Sequence, residues 1–134
     1  MNFASDNVHG VHPAILQGLA AANGGTAVSY GRDDLSNRAE AKLSEVFEHE
    51  VKAFLVTTGT AANGLALSAI TPGYGAILAH AEAHVASEEC YAPGLFTGGA
   101  KIAGLPGAAG KLSPFAIEKW LETFTRGVFD SKPC

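Results

Sequence analysis

The sequence predicts an α/β fold: part of a doubly wound, three-layer (αβα) domain with helices on both faces of a parallel sheet. Three observations predict it. Ala53 to Val56 is an apolar run that passes through Thr57-Thr58-Gly59-Thr60 into a small-residue helix with Leu65, Ala66, Ala69 and Ile70 at helical spacing. Gly75-Ala76-Ile77-Leu78-Ala79 is continuously apolar, as in a strand buried on both faces. Strands then alternate with helices, which implies parallel pairing and places ligands at the carboxyl ends of the strands. Gly59-Thr60 and the stretch His80 to His84 both follow strands, so both are expected at that edge.

Taken in order, Met1 to His12 is a polar lead-in. Pro13 suits the first helical position, and Ile15, Leu16 and Leu19 give a short apolar face that ends at Asn23-Gly24-Gly25. Thr26 to Asp34 reads as loop. An amphipathic helix follows, with Asn37 or Ser36 as its cap, Glu40 in its first turn and Leu43, Val46 and Phe47 on one face. Val51 to Val56 is the first clear strand, and Thr71-Pro72-Gly73 stops the helix after it. Ala100 to Leu105 is a short strand, and Ser113-Pro114 caps a last helix carrying Ile117, Trp120, Leu121 and Phe124. No internal repeat and no linker marks a second domain. The pattern decays after Glu122, so residues 1–122 are expected to be one unit and 123–134 a tail.

Composition bounds the function. At 134 residues, with 47% of them apolar and a net charge of −4, the chain suits one globular core and lacks the basic stripe that nucleic acid requires. Two distant cysteines, Cys90 and Cys134, give no disulfide framework and fit a reducing cytoplasm. The first residues lack the basic flank and apolar core of a signal peptide, and no run reaches membrane-span length. The expectation is a soluble cytoplasmic protein.

The turn at Gly59 has a physical use. Free N–H groups in a helix's first turn carry partial positive charge and suit an anion, glycine permits close approach, and Thr60 adds a hydroxyl. For a phosphate the dipole contributes about 0.3–1 kcal/mol and each charged hydrogen bond about 1.5–3 kcal/mol. An ordinary strand-to-helix turn with threonine as cap explains the same pattern. His80-Ala81-Glu82-Ala83-His84 offers a second chemistry, since extended alternation would put His80, Glu82 and His84 on one face as a metal trio. The zinc deaminase signature fails, because Pro133-Cys134 supplies one cysteine where two are needed. Gly104 to Lys111 fails as a phosphate loop at Leu105 and Leu112. Cys90 lacks an identifiable oxyanion site and reads as a small hydrophobe.

Together the pieces resemble the amino-terminal part of the threonine aldolase/aromatic amino acid β-eliminating lyase family of fold type I pyridoxal-phosphate enzymes. The matching stretches are Phe3-Ala4-Ser5-Asp6-Asn7, Tyr30-Gly31-x-Asp33, Asn37-x-x-Glu40, Phe47-Glu48, Thr58-Gly59-Thr60-Ala61-Ala62-Asn63, Ala83-His84 with Glu88-Glu89-Cys90, Phe96-Thr97-Gly98-Gly99-Ala100-Lys101, and Gly110-Lys111-Leu112. They fall in family order from Phe3 to about Glu122. The resemblance implies part of a pyridoxal-phosphate-dependent transferase-like large domain. It also implies that Gly59 and Thr60 hold the phosphate of pyridoxal 5'-phosphate, that His84 stacks on the pyridine ring and contacts the substrate hydroxyl, and that Ser5 helps bind the substrate carboxylate. Tyr30 is then expected near the active site, in reach of a neighbouring subunit's pocket.

The implied reaction is retro-aldol cleavage of L-threonine or allo-threonine to glycine and an aldehyde, in a homo-oligomer acting on a small amino acid. In the family the Schiff-base lysine, the acid paired with the pyridine nitrogen and the carboxylate-binding arginine come from the half that follows this region. The chain is therefore expected to be the front of a larger protein. Lys101 and Lys111 fall in segments that do not carry the Schiff base, and Tyr91 stands where the family usually has glycine. Two rivals remain at this stage: an inactive remnant or assembly partner of such an enzyme, and a metal-dependent enzyme using His80, Glu82 and His84.

Overall fold

The computed structural model describes residues 4–5 and 8–123 and divides into two compact units, Met1–Phe54 and Leu55–Cys134. Phe124, assigned from sequence to the last helix, and the rest of the tail after Thr123 lie outside the described residues.

The first unit holds two helices. Helix α1 (Pro13–Ala22) starts at Pro13, whose missing N–H costs nothing there, and the His12 ring accepts the Ala14 N–H at 3.2 Å. Helix α2 (Asp34–Phe47) is capped by Asp33, not by Ser36 or Asn37. One Asp33 carboxylate oxygen accepts the Ser36 N–H at 2.9 Å and the other accepts its hydroxyl at 2.7 Å, so Ser36 is the donor of the cap. These bonds from Ser36 hold the Asp33 carboxyl below its ordinary range. Helix α2 ends where Glu48 turns left-handed, at φ 57°. Neither helix has a buried residue.

The strand expected over Val51 to Val56 does not form. These residues are irregular, and no strand lies beside them among the described residues. Their backbone is satisfied from α2 instead. Val51 N–H donates to the Ser44 hydroxyl at 3.1 Å, and Ala53 N–H donates to Glu40 at 3.3 Å. The Lys52 ammonium reaches the same Glu40 oxygen at 2.7 Å. An apolar run becomes a strand only when another strand takes its donors and acceptors. Here side chains take two of them, and Phe54 and Leu55 stay exposed.

The second unit contains the sheet. Helix α3 (Gly59–Ile70) leads through Pro72-Gly73 to strand β1 (Ala76–His80). A single-turn helix α4 (His84–Ser87) and helix α5 (Ala92–Thr97) follow, and then strand β2 (Lys101–Leu105). The strands pair in parallel, from Ala76 beside Lys101 to His80 beside Leu105, so the α/β expectation holds for this unit. A 3-10 turn (Ala108–Gly110) and helix α6 (Pro114–Thr123) complete it, with Ser113 accepting the Ala116 N–H at 3.1 Å as its cap.

Close packing here depends on small residues. Helices α3 and α5 lie against each other, and a Cβ added to buried Gly64 would sit 2.6 Å from the Phe96 ring. Buried Thr97 knots the end of α5: its hydroxyl donates to the Pro93 carbonyl at 2.8 Å and accepts the Ala100 N–H at 3.1 Å. Ala76, Ala79, Ala100 and Leu105 form the buried core beside Pro93.

Candidate functional site

The site begins at the first turn of α3. Thr58 caps the helix, its hydroxyl accepting the Ala61 N–H at 3.1 Å, and its carbonyl accepts the Ala62 N–H at 3.1 Å. The cap therefore uses up the third and fourth donors of the turn. The two before them, the N–H groups of Gly59 and Thr60, bond to nothing among the described residues. A Cβ added at Gly59 would meet no atom within 4 Å, so this glycine faces open space rather than a packed neighbour. The turn is thus a threonine-capped helix start whose Gly59 and Thr60 N–H groups are left without a partner among the described residues, the donor type that suits an anion. These features fit a phosphate ester.

One turn further along α3 the side chains become linked. The Asn63 amide donates to Glu89 Oε1 at 2.7 Å, and His84 Nδ1 lies 2.7 Å from the same oxygen. The Glu89 side chain is 0% exposed, whereas that of His84 is 60% exposed. The bond from Asn63 and then the bond from His84 hold the Glu89 carboxyl below its ordinary range. An ionised carboxylate can only accept, so the proton between the two groups belongs to Nδ1 of His84, and Nε2 is left to face outward. Glu88 is the other carboxylate nearby, 3.8 Å from Nε2 and outside hydrogen-bonding distance. The second oxygen of Glu89 is buried without a partner among the described residues, so the carboxylate grips Asn63 and His84 through Oε1.

The metal reading of His80, Glu82 and His84 is corrected by this geometry. His80 is buried, and its ring is fully used: Nδ1 accepts the Glu82 N–H at 3.1 Å and Nε2 donates to the Gly107 carbonyl at 3.0 Å. Its one lone pair is therefore committed inside the fold, while the His84 ring is tied to Glu89. Extended alternation would have aligned the three residues, but the chain turns after His80 and starts α4 at His84. No group of three potential ligands converges among the described residues.

Gly59, Thr60 and His84 share the second unit, joined through Asn63 and Glu89. Ser5 and Tyr30 belong to the first. Tyr30 is 96% exposed, with φ 65° in the left-handed region. Asn63 and Glu89 received no role from the sequence, although both lie in the matched stretches. The available signal was spacing: Asn63 follows Gly59 by one helical turn, so the two share a face of α3.

Comparison with known proteins bears on the family and the fold. The family model for beta-eliminating lyases matches residues 2–133. The low specificity L-threonine aldolase of Pseudomonas aeruginosa is 38% identical over 115 residues, covering 86% of this chain and 33% of that protein. Its counterpart from another Pseudomonas strain is 37% identical over 117 residues, covering 87% and 34%. A solved threonine aldolase from Leishmania major superposes with a TM-score of 0.84 at 27% identity, over 94% of this chain and 36% of the other. The chain thus spans about a third of the length of the relatives it matches. Its fold is part of the α/β architecture of fold type I pyridoxal-phosphate enzymes. No helix among the described residues is long and apolar enough to cross a membrane. By sequence match along nearly its whole length and by shared fold, the chain belongs to the beta-eliminating lyase family, whose members depend on pyridoxal phosphate.

Proposed function

We propose that this chain supplies the phosphate-binding and ring-facing part of a pyridoxal-phosphate lyase of the threonine aldolase type, cleaving a β-hydroxy amino acid to glycine and an aldehyde. One observation carries the reading: two unpartnered N–H groups at the start of α3 lie one helical turn from a side-chain relay ending on an exposed imidazole. Gly59 and Thr60 bind the phosphate through backbone N–H groups, with the Thr60 hydroxyl as a further donor. His84 would face the cofactor ring, and its Nε2 would accept the proton of the substrate's β-hydroxyl. Ser5 contributes to binding the substrate carboxylate, and Tyr30 serves the pocket of a neighbouring subunit. When bound, pyridoxal phosphate supplies the conjugated cation that takes up the electron pair released as the carbon–carbon bond breaks. The protein is read as a cytoplasmic homo-oligomer using no metal.

Phosphorus NMR of pyridoxal phosphate titrated with the chain tests the reading. The expected result is a shifted resonance that inorganic phosphate competes away. Gly59→Val fills the open approach to the N–H pair and should weaken binding at least tenfold, the loss of roughly one charged hydrogen bond. Unchanged affinity in Gly59→Val would overturn the phosphate assignment.

A second reading, an assembly partner without chemistry of its own, draws on the exposed apolar side chains of Phe54 and Leu55. Sedimentation separates the two. Self-association abolished by Leu55→Lys, with no cofactor bound, favours the assembly partner.

A further inference from the structure

We propose that Glu89 is the positioning residue of His84: its buried carboxylate keeps the imidazole proton on Nδ1 and so presents Nε2 outward as an unprotonated acceptor. The local backbone cannot do this. Helix α4 is a single turn of four residues, and the His84 side chain leaves it 60% exposed. An imidazole in that position, left to itself, rotates and exchanges its proton between the two nitrogens. Glu89 prevents both. It is fully buried, it sits five residues along the chain, and its Oε1 lies 2.7 Å from Nδ1. It is itself fixed, because the Asn63 amide on α3 donates to the same oxygen at 2.7 Å. The orientation of the histidine is thereby tied to α3, the helix that opens with the unpartnered N–H pair.

The surrounding charges bear on the same point. Glu88, exposed and 3.8 Å from Nε2, favours a proton on that nitrogen, in opposition to Glu89. Glu89 prevails because its contact is shorter and removed from water, where a charged hydrogen bond is stronger. His80, on the strand before α4, contributes no competing charge through its ring, since both nitrogens are used by Glu82 N–H and the Gly107 carbonyl. Lys101 opens β2 and is exposed. The service that Nε2 performs rests on the lyase reading. The state of the ring does not.

The test is nitrogen-15 NMR of the histidine rings in the chain without cofactor, at a pH where imidazole is neutral. The wild-type protein should show His84 with a protonated Nδ1 and a bare Nε2, while His80 shows the opposite tautomer in the same spectrum. In Glu89→Leu the His84 tautomer ratio should invert with His80 unchanged, and Glu89→Gln, which keeps an oxygen acceptor, should restore the wild-type ratio. A proton on Nε2 of His84 in the wild-type chain overturns the proposal without any variant. So does a ratio that Glu89→Leu leaves unmoved while the His80 signal reports an intact fold. Phosphorus NMR of added pyridoxal phosphate runs independently. Cofactor binding with an unmoved tautomer removes this inference and spares the lyase reading, and a switched tautomer without cofactor binding does the reverse.

Discussion

The two units of this chain treat their apolar residues in opposite ways. In the first, α1 presents Ile15, Leu16 and Leu19 and α2 presents Val46 and Phe47, yet neither helix buries a side chain. In the second, modest residues close a core: Ala76, Ala79, Ala100 and Leu105, with Pro93 fully enclosed. The larger apolar side chains are the exposed ones, so side-chain size does not account for burial. The difference is partners. Strands β1 and β2 pair with each other, and α3 meets α5 closely because position 64 is glycine. The helices of the first unit have amphipathic faces without such a counterpart among the described residues. An amphipathic pattern states that a surface will be covered, and pairing decides whether the same chain covers it.

Glycine substitutions break this comparison most sharply. A Cβ at Gly107 would overlap the Lys111 carbonyl, which is backbone and cannot rotate aside. Gly107→Ala should therefore destabilise the second unit by about 3 kcal/mol, the upper end of overpacking costs, as read by denaturant unfolding. Gly64→Ala should cost about 1 kcal/mol, because the strain against Phe96 exceeds the gain in helix propensity. Phe96→Ala in the same protein should remove that penalty. The mirror experiment lies in α1, where a Cβ at Gly18 meets nothing within 4 Å. Gly18→Ala should stabilise α1 by about 0.5–1 kcal/mol and raise its helical circular dichroism. A loss there would mean that the apolar face of α1 is packed after all.

Acid separates the units through named carboxylates. Glu89 in the second unit, and Asp33 and Glu40 in the first, are each held below their ordinary values, Glu89 by Asn63 and then His84, Glu40 chiefly by Lys52. A depressed native value means that the unfolded chain binds the proton first as pH falls. The stabilising contribution of each is whole above its ordinary value and drains away as pH drops through the lower native one. Glu89→Gln should remove this component from the second unit's pH–stability curve and leave that of the first unit untouched. A smaller effect sits at the start of α3: Thr58→Ala should cost roughly 1 kcal/mol through loss of the cap, while the Gly59 and Thr60 N–H groups remain available to phosphate.

Local chemistry was legible in the sequence where it was local in cause. The apolar run at Gly75 to Ala79 became β1 apart from its first residue, Pro13 and Ser113 start their helices, and the turn at Gly59 carries both the cap and the bare donors read for it. The sequence reading failed where partners are remote. Val51 to Val56 has strand composition, but Ser44 and Glu40 claim its donors. His80 resembled a ligand because nothing nearby foretold that Gly107, 27 residues later, would take its ring. Asn63 and Glu89 are 26 residues apart, and only folding reveals that they share an oxygen with His84. Tyr91 is instructive differently: it stands in the left-handed region at φ 63°, a conformation that favours glycine, and its hydroxyl bond to the Ala100 carbonyl at 2.9 Å offsets the cost.

The narrowness of the sheet has a consequence for how the molecule exchanges with solvent. A parallel ribbon two strands wide turns every second amide of each strand away from its neighbour. The ladder is bracketed by Lys101 N–H on the Gly75 carbonyl at 3.0 Å and Ala81 N–H on the Leu105 carbonyl at 2.9 Å. Deuterium uptake along residues 77–80 and 101–105 should therefore be comb-like, slow and fast residues in alternation. Docking another strand against either margin would fill in the teeth on that side alone, and so report which margin is used.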